Sequence, residues 1–473
     1  MQHFKLLLNP LRLSIGFICF SFFINHLPLG LASPKQGAGE ADQWLEQFFQ
    51  EAAKVPSKKA RKALAKVLAD PKKYRFQLLI TEYQKTEGQV ILVPHSFRVD
   101  HEYLYPASAI KTFGSIAALR HYSILRQKHK WLTTNDPMSQ VKKSCKAQDK
   151  TNINNQLASL EHEIKKTQLV SSNKAFNTVF SVTGFRTLHE YILPDFPSVR
   201  VFHRLSSRET HKECLKTPSL SLCNWTKKGV SKREIYFRKG FVSSDDLSDL
   251  TAKLDKDAPT GFGLNRESLK VGKGYKHMKT KKRVKQAMDF TLKNRASFFD
   301  FQRLSIGMII PQKETPFGLP IKLFNGNIEE GGIRKVWLNE LRHSMAIYPR
   351  HSENPEYSGR SLSETRFKPL ISGIRRHSSK KVNEQNLYYL NKAGKALGFH
   401  MDNAFIATGY KAGLVNSDSG YPGGKLSKGL FVTIGLYINE DAILNDDKYE
   451  YKSISIPLFD AIGYAIGQYL IRK

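Results

Sequence analysis

Ser108 and Lys111 stand three residues apart in Tyr103-Leu-Tyr-Pro-Ala-Ser-Ala-Ile-Lys-Thr-Phe113, and together they could supply a nucleophile and its base. A serine hydroxyl attacks a carbonyl well only when a neighbouring group takes its proton, and a lysine amine held away from water can do so. On a helix, residues i and i+3 share a face, so the Lys111 amine is expected over the Ser108 hydroxyl. The free N–H groups of a helix N-terminus would lie beside both and could stabilise an oxyanion. The spacing alone is cheap in a lysine-rich chain, for it recurs at Ser139–Lys142, Ser171–Lys174 and Ser378–Lys381. Those three sit among polar residues. Behind Ser108 run Ile110, Phe113, Ile116, Ala117, Ala118 and Leu119, and a lysine at the head of so apolar a helix is costly unless it has a task.

The elements that must position this pair can be read outward from it. Pro106 sits where the helix should begin. Upstream, Ala41 to Ala69 has the periodicity of an amphipathic helix split by Pro56, with Trp44, Phe48, Phe49, Ala52, Ala63, Leu64 and Val67 apolar. Arg75 to Tyr83 and Gln89 to Val93 read as two strands around a Lys85–Gly88 turn. Downstream, Leu169 to Gly184 reads as a polar corner, Ser171-Ser172-Asn173, leading into a helix closed by Gly184. Such a corner can be an ordinary cap, or Ser171 can relay a proton while Asn173 binds a substrate carbonyl. Between about 196 and 390 only two helical pieces stand out, Leu247–Leu254 and Val284–Phe301. Asn391–Gly394, Asn403–Thr408 and Gly429–Ile438 then read as strands, and about Ile456 to Ile471 as a last apolar helix. Helix, two strands, central helices, three strands and helix describe an α+β fold whose sheet is built from both chain ends.

Composition bounds the rest. A chain of 473 residues with 40% apolar content can bury a substantial core. The first 33 residues carry Lys5 and Arg12, no acidic residue, an apolar run from Leu13 to Phe23 and a small-x-small site at Gly30-Leu31-Ala32. This pattern is that of a secretory signal over residues 1–32, ahead of one domain from 33 to 473 with long insertions in about 210–390. The expected location is periplasmic or extracellular, and no later run reads as long enough to span a bilayer. Of the cysteines left after removal of Cys19, Cys214 and Cys223 are close enough for a local disulfide, and Cys145 is the odd thiol. No Cys/His spacing resembles a zinc site, so neither metal nor cofactor is expected. The formal charge of +32 favours anionic surfaces such as acidic lipid or wall polymer. The densest basic runs, Lys142–Lys150, Lys227–Lys239, Lys270–Lys285 and Arg375–Lys381, lack the interleaved aromatic platforms of a nucleic-acid binder.

With these parts placed, the chain resembles the penicillin-recognising serine hydrolases, in particular the class A β-lactamase-like group, which carry Ser-x-x-Lys, Ser-Asp-Asn and Lys-Thr-Gly in that order. The matches are Ser108-Ala-Ile-Lys111, Ser171-Ser172-Asn173 and Lys392-Ala393-Gly394; the second and third depart at their middle residue. Lys411-Ala412-Gly413 competes for the third place, but only Lys392 leaves room for two further strands and a terminal helix. Tyr105–Lys111, Asn177–Phe180 and Asn445–Tyr451 are similar to a little-characterised exported subgroup of serine hydrolases. The resemblance implies that Ser108 attacks an amide or β-lactam carbonyl and that Lys111 takes its proton. It further implies that Ser171 and Lys392 serve the leaving nitrogen and a substrate carboxylate, that Asn173 holds the acyl side chain, and that the oxyanion sits between the N–H groups of Ser108 and Lys395 beside Gly394. A class A β-lactamase also needs a loop glutamate for deacylation. Arg204-Leu-Ser-Ser-Arg-Glu209 aligns with that loop but has Ser207 in place of its second arginine, so Glu209 is either that base or a solvated carboxylate. Three readings follow: an acyl-transferring hydrolase, a true β-lactamase using Glu209, or a silent fold whose basic loops hold an anionic surface.

Overall fold

A computed structural model describes residues 43–86, 89–130, 132–134, 138–140, 150–153, 158–206, 220–226, 229–236, 266–277, 280–310, 324, 327–328, 332–352, 354–358, 364–378, 387–408 and 428–471. The expected signal segment, Leu247–Leu254, Glu209, Cys145, Cys214 and Lys411-Ala412-Gly413 lie outside the described residues.

The five strands of the main sheet come from the two ends of the chain. β1 (Gln77–Thr86) and β2 (Gln89–Phe97) form a hairpin, and β3 (Leu387–Ala396), β4 (Phe399–Thr408) and β5 (Lys428–Tyr437) form a meander. The order across the sheet is β3-β4-β5-β1-β2, antiparallel throughout. The halves meet where β1 pairs β5, in the register Gln77 opposite Gly435 and Gln84 opposite Lys428. Both faces are covered, so the strands are apolar on both sides rather than alternating.

One face is covered by α1 (Gln43–Ala53), α2 (Lys58–Ala69), α9 (Ile371–Ser378) and α10 (Ile456–Ile471), whose apolar side chains share a core with Leu78, Ile80, Ala404, Val432 and Ile434. The other carries α3 (Lys111–Lys128), α4 (Leu160–Leu169), α5 (Asn173–Thr183), α6 (Phe185–Ile192), α7 (Phe298–Ile309) and α8 (Lys335–Ala346). Serine caps recur: the side chains of Ser57, Ser159, Ser172 and Ser297 accept from the third backbone N–H of α2, α4, α5 and α7.

Three expectations change. The helix expected over Val284–Phe301 begins only at Phe298: Arg283-Val284 and Met288-Asp289 are short strands, Arg295 bridges Arg200, and the Ser297 cap sets the start of α7. The last helix gains a π-helical turn, Tyr451–Ser455, so 451–471 is long and apolar enough to cross a membrane. It is a core helix here, with 72% of its most apolar window buried against the sheet and its neighbours. Also, α4 stands where the sequence pattern singles out no helix; its Leu160 and Ile164 pack into the core of the helical layer.

The crossing of α9 and α10 is set by two glycines. A Cβ on Gly373 would stand 1.9 Å from Asp460 O, and one on Gly463 would stand 2.2 Å from Leu370 O. Gly463→Ala should therefore force the helices apart and cost about 1–3 kcal/mol, read as a lower urea midpoint with unchanged slope; a wild-type midpoint would show that the crossing tolerates a methyl.

Candidate active site

Ser108 lies on a 3-10 turn, Ala107–Ile110, that runs directly into α3. Pro106 accepts the Ala109 N–H at 2.9 Å, and Ala107 is held in the left-handed region at φ 46°. A non-glycine residue there is strained and persists only where the surroundings impose it. The imposing neighbour is β3. A Cβ on Gly394 would lie 2.1 Å from Pro106 O, 2.8 Å from the Ala109 N and 3.0 Å from the Ser108 N, so strand and turn touch through backbone. Close backbone approach is a task that only glycine performs without displacement.

Lys111 opens α3 with its side chain fully buried. Its amine was expected over Ser108; its hydrogen bonds go instead to Ser171, at 2.5 Å to the carbonyl oxygen and 3.2 Å to Oγ. Ser171 is itself left-handed at φ 56°, which turns both its oxygens toward α3. Its neighbour Ser172 is the ordinary cap, accepting from the Ala175 N–H at 3.2 Å. The polar corner thus contains both readings, a cap at 172 and a lysine partner at 171. Asn173 lines the same cleft and donates to Ser206 Oγ at 2.6 Å, while its Oδ1 is buried without a hydrogen-bond partner among the described residues.

Lys392 reaches the same place from the sheet. It projects from β3 opposite Asn403, is buried, and donates to Gln168 O at 3.2 Å at the end of α4. Gln168 is fixed in turn by Thr112 and Ser115 of α3, at 3.3 and 2.8 Å. Ser108, Ser171, Asn173, Lys392, Gly394 and Lys395 all line one cleft of about 190 Å³. Its remaining wall includes Arg366, Lys368, Asn391 and His400, and no carboxylate is among its lining residues.

The electrostatics follow from burying cations together. Burial, then the charges of Lys392 and Arg366, hold the Lys111 amine well below the usual lysine range. Lys392 is pushed down to about 7, chiefly by burial and also by Lys368, against the opposing pull of the Asp402 carboxylate. Lys395, exposed at the rim, is lowered by desolvation and by Arg366. His400 is lowered to about 3 by burial and by Lys395, so it is a neutral acceptor or donor beside Ser455.

Gln168, Arg366, Lys368, Asn391 and Asp402 were not singled out from the sequence. A detectable signal existed only for Asp402, a carboxylate in the otherwise apolar strand Phe399–Thr408. Lys368 and Arg366 occur in a stretch without periodicity, and Gln168 in an unrecognised helix. Lys174, the lysine of a second Ser-x-x-Lys spacing, is exposed. Among the described residues no group of three or more His, Cys, Asp or Glu side chains could hold a metal ion.

No family model matches the chain, and no curated protein matches it in sequence. Solved structures similar to it include a β-lactamase from Desulfarculus baarsii, at 12% identity and TM-score 0.40, covering 88% of this chain and 99% of that one. They also include a β-lactamase from Streptomyces albus G, at 11% identity and TM-score 0.39, with 88% and 100% covered. A mutant of the chromosome-encoded β-lactamase of Vibrio parahaemolyticus is similar at 11% identity and TM-score 0.39, with 86% and 98% covered. The chain's own fold is α+β, with an antiparallel sheet from both chain ends and a helical part carrying the Ser-x-x-Lys helix.

Proposed function

We propose that this chain is a serine hydrolase that opens an amide or lactam carbonyl through an acyl-enzyme on Ser108. The observation that carries the reading is one cleft lined by Ser108, Ser171, Lys392 and the Gly394 strand edge, with the buried Lys111 amine hydrogen-bonded to Ser171 at its back. Lys111, kept neutral by burial and by neighbouring cations, is the base for the Ser108 proton. Ser171, hydrogen-bonded to the Lys111 amine, carries a proton onward to the leaving nitrogen. The N–H groups of Ser108 and Lys395 are assigned to the oxyanion, on the ground that the Ser108 nitrogen lies against Gly394 and both residues line the cleft. Lys392 supplies positive charge for a substrate carboxylate in a cleft that has no acidic side chain among its described lining residues. Hydrolysis is completed by water; Glu209 as the activating base belongs to the narrower reading of a true β-lactamase, tested by nitrocefin turnover and its loss in Glu209→Gln. Export through the N-terminal segment belongs to the same proposal.

Incubation with a fluorescent penicillin or a fluorophosphonate, followed by mass spectrometry, should place one adduct on Ser108. Ser108→Ala should abolish it, and Lys111→Ala should slow labelling by roughly 100- to 10,000-fold. An unlabelled wild-type protein beside a labelled control enzyme would remove the acylation step.

The pH dependence has a defined sign. The Lys392 ammonium is lost as pH rises through its pKa of about 7, while Lys111 stays neutral above its own lower value. For a carboxylate-bearing probe, kcat/KM of the free protein should fall above about pH 7, whereas a neutral ester probe should lack that limb. Equal profiles for the two probes would contradict the role given to Lys392.

A second reading rests on α2, where Lys58, Lys59, Arg61, Lys62 and Lys66 are all exposed. These cations favour retention on an anionic surface by charge alone, since the apolar residues of α2 are buried. Retention on anionic wall polymer should weaken steeply with salt and survive Ser108→Ala; binding indifferent to ionic strength would count against it.

A further inference from the structure

Beside Lys392, and reaching the cleft wall through Lys368 and Asn391, lies a buried polar cluster to which the acyl-transfer reading gives no role. Lys368, 2% exposed, donates from Nζ to Met345 O at 3.1 Å, Tyr389 O at 2.6 Å and Asn391 Oδ1 at 3.1 Å. Asn391 passes the connection on, donating from Nδ2 to Asp402 Oδ1 at 2.8 Å and to Phe367 O at 2.7 Å. Asp402, with no exposed surface, accepts from the Tyr389 hydroxyl at 2.7 Å through its other oxygen. The cluster ties the end of α8, the short helix Glu364–Phe367 and strands β3 and β4 to one point. A lysine and an aspartate this deeply buried are costly, and either one left alone would be more so. Nothing in the packing demands a charged pair here, because the same volume filled with apolar side chains would hold the elements together.

What the pair does have is a neighbour. Lys392 is the next residue along β3 from Asn391, and it is faced by Asp402 from β4, by Lys368 from the turn before α9 and by Lys111 from α3, while Arg366 bears on Lys111 and Lys395. We propose that Lys368 and Asp402 are positioning residues, a buried pair bridged by Asn391 that sets the charge and the placement of Lys392 from the adjoining wall of the cleft. The aspartate favours the Lys392 ammonium and the lysine opposes it, so the two together hold that amine near its point of charge change. Lys368, itself lowered to about 7, and Asp402, raised to about 6, each by burial first, make the three groups one coupled titration. The inference rests on the hydrolase reading only for what the Lys392 charge is used for.

The test uses the full chain carrying ε-carbon-13 lysine, with the Lys392 signal identified by its loss in Lys392→Arg, and follows that signal with pH. Asp402→Asn should move the Lys392 midpoint down by roughly one pH unit, Lys368→Met should move it up, and the double variant should return it close to the wild type. Opposite shifts are a signature that simple loosening of the strand would not produce. An unmoved midpoint in Asp402→Asn, or shifts of the same sign in the two variants, would overturn the proposal. Should Lys368→Met fail to fold, the direction of the shift in the isosteric Asp402→Asn decides alone. The alkaline limb of Ser108 acylation should move with the midpoint in each variant. Absence of acylation by every probe would remove the hydrolase reading and leave the titration to decide the positioning role.

Discussion

The close approach of β3 to the turn carrying Ser108 is the contact on which the cleft depends. Position 394 has no side chain, and the space a Cβ would need is already taken by Pro106 O and by the Ala109 and Ser108 nitrogens. Because the contact is backbone against backbone, the distance between Ser108 and the strand edge is fixed without any flexible side chain between them. The strain at Ala107 is the other side of the same constraint: the turn is bent into the left-handed region so that it can lie beneath the strand. Lys392 and Lys395, on either side of Gly394, are then delivered to the inner wall and the rim of one cleft.

Once the strand is seated, burial governs the chemistry. Lys111, Lys368 and Lys392 are all withdrawn from water, and the buried carboxylate of Asp402 bears on Lys368 and Lys392. An amine in such a place is easier to find neutral than charged, and a neutral amine is what removing a proton from a serine requires. The amines are not equivalent. Lys111 is bound to Ser171 and is lowered by the cations Lys392 and Arg366, whereas Lys392 also feels Asp402. Under the proposed hydrolase reading, these environments suit Lys111 to the part of a base and Lys392 to that of a cation.

Much of this was legible from residue types. The apolar run behind Lys111, Pro56, the turn before β2 and the last helix each carry a local signal, and the order of elements at the two chain ends follows from them. The partner of Lys111 was not legible, because the left-handed backbone at Ser171 has no composition that announces it. The cluster of Lys368, Asn391 and Asp402 was missed for a related reason: its members are scattered over three elements and joined only by the tertiary fold. In the middle of the chain the period at Val284–Phe301 misled, since apolar residues that serve short strands and a bridge to Arg200 fell at helix-like spacing.

The pairing of β1 with β5 has a consequence in time. The hairpin β1–β2 is made early and has a complete partner on one side only; its other edge must wait for residues 428–437. Until they arrive, β1 presents unpaired amides and carbonyls together with Leu78, Ile80 and Leu79, a combination prone to wrong association. Contacts so distant along the chain form slowly, since a long loop must close before they reward it. The turn carrying Ser108 is therefore completed late, since β3 joins β1 only through β4 and β5.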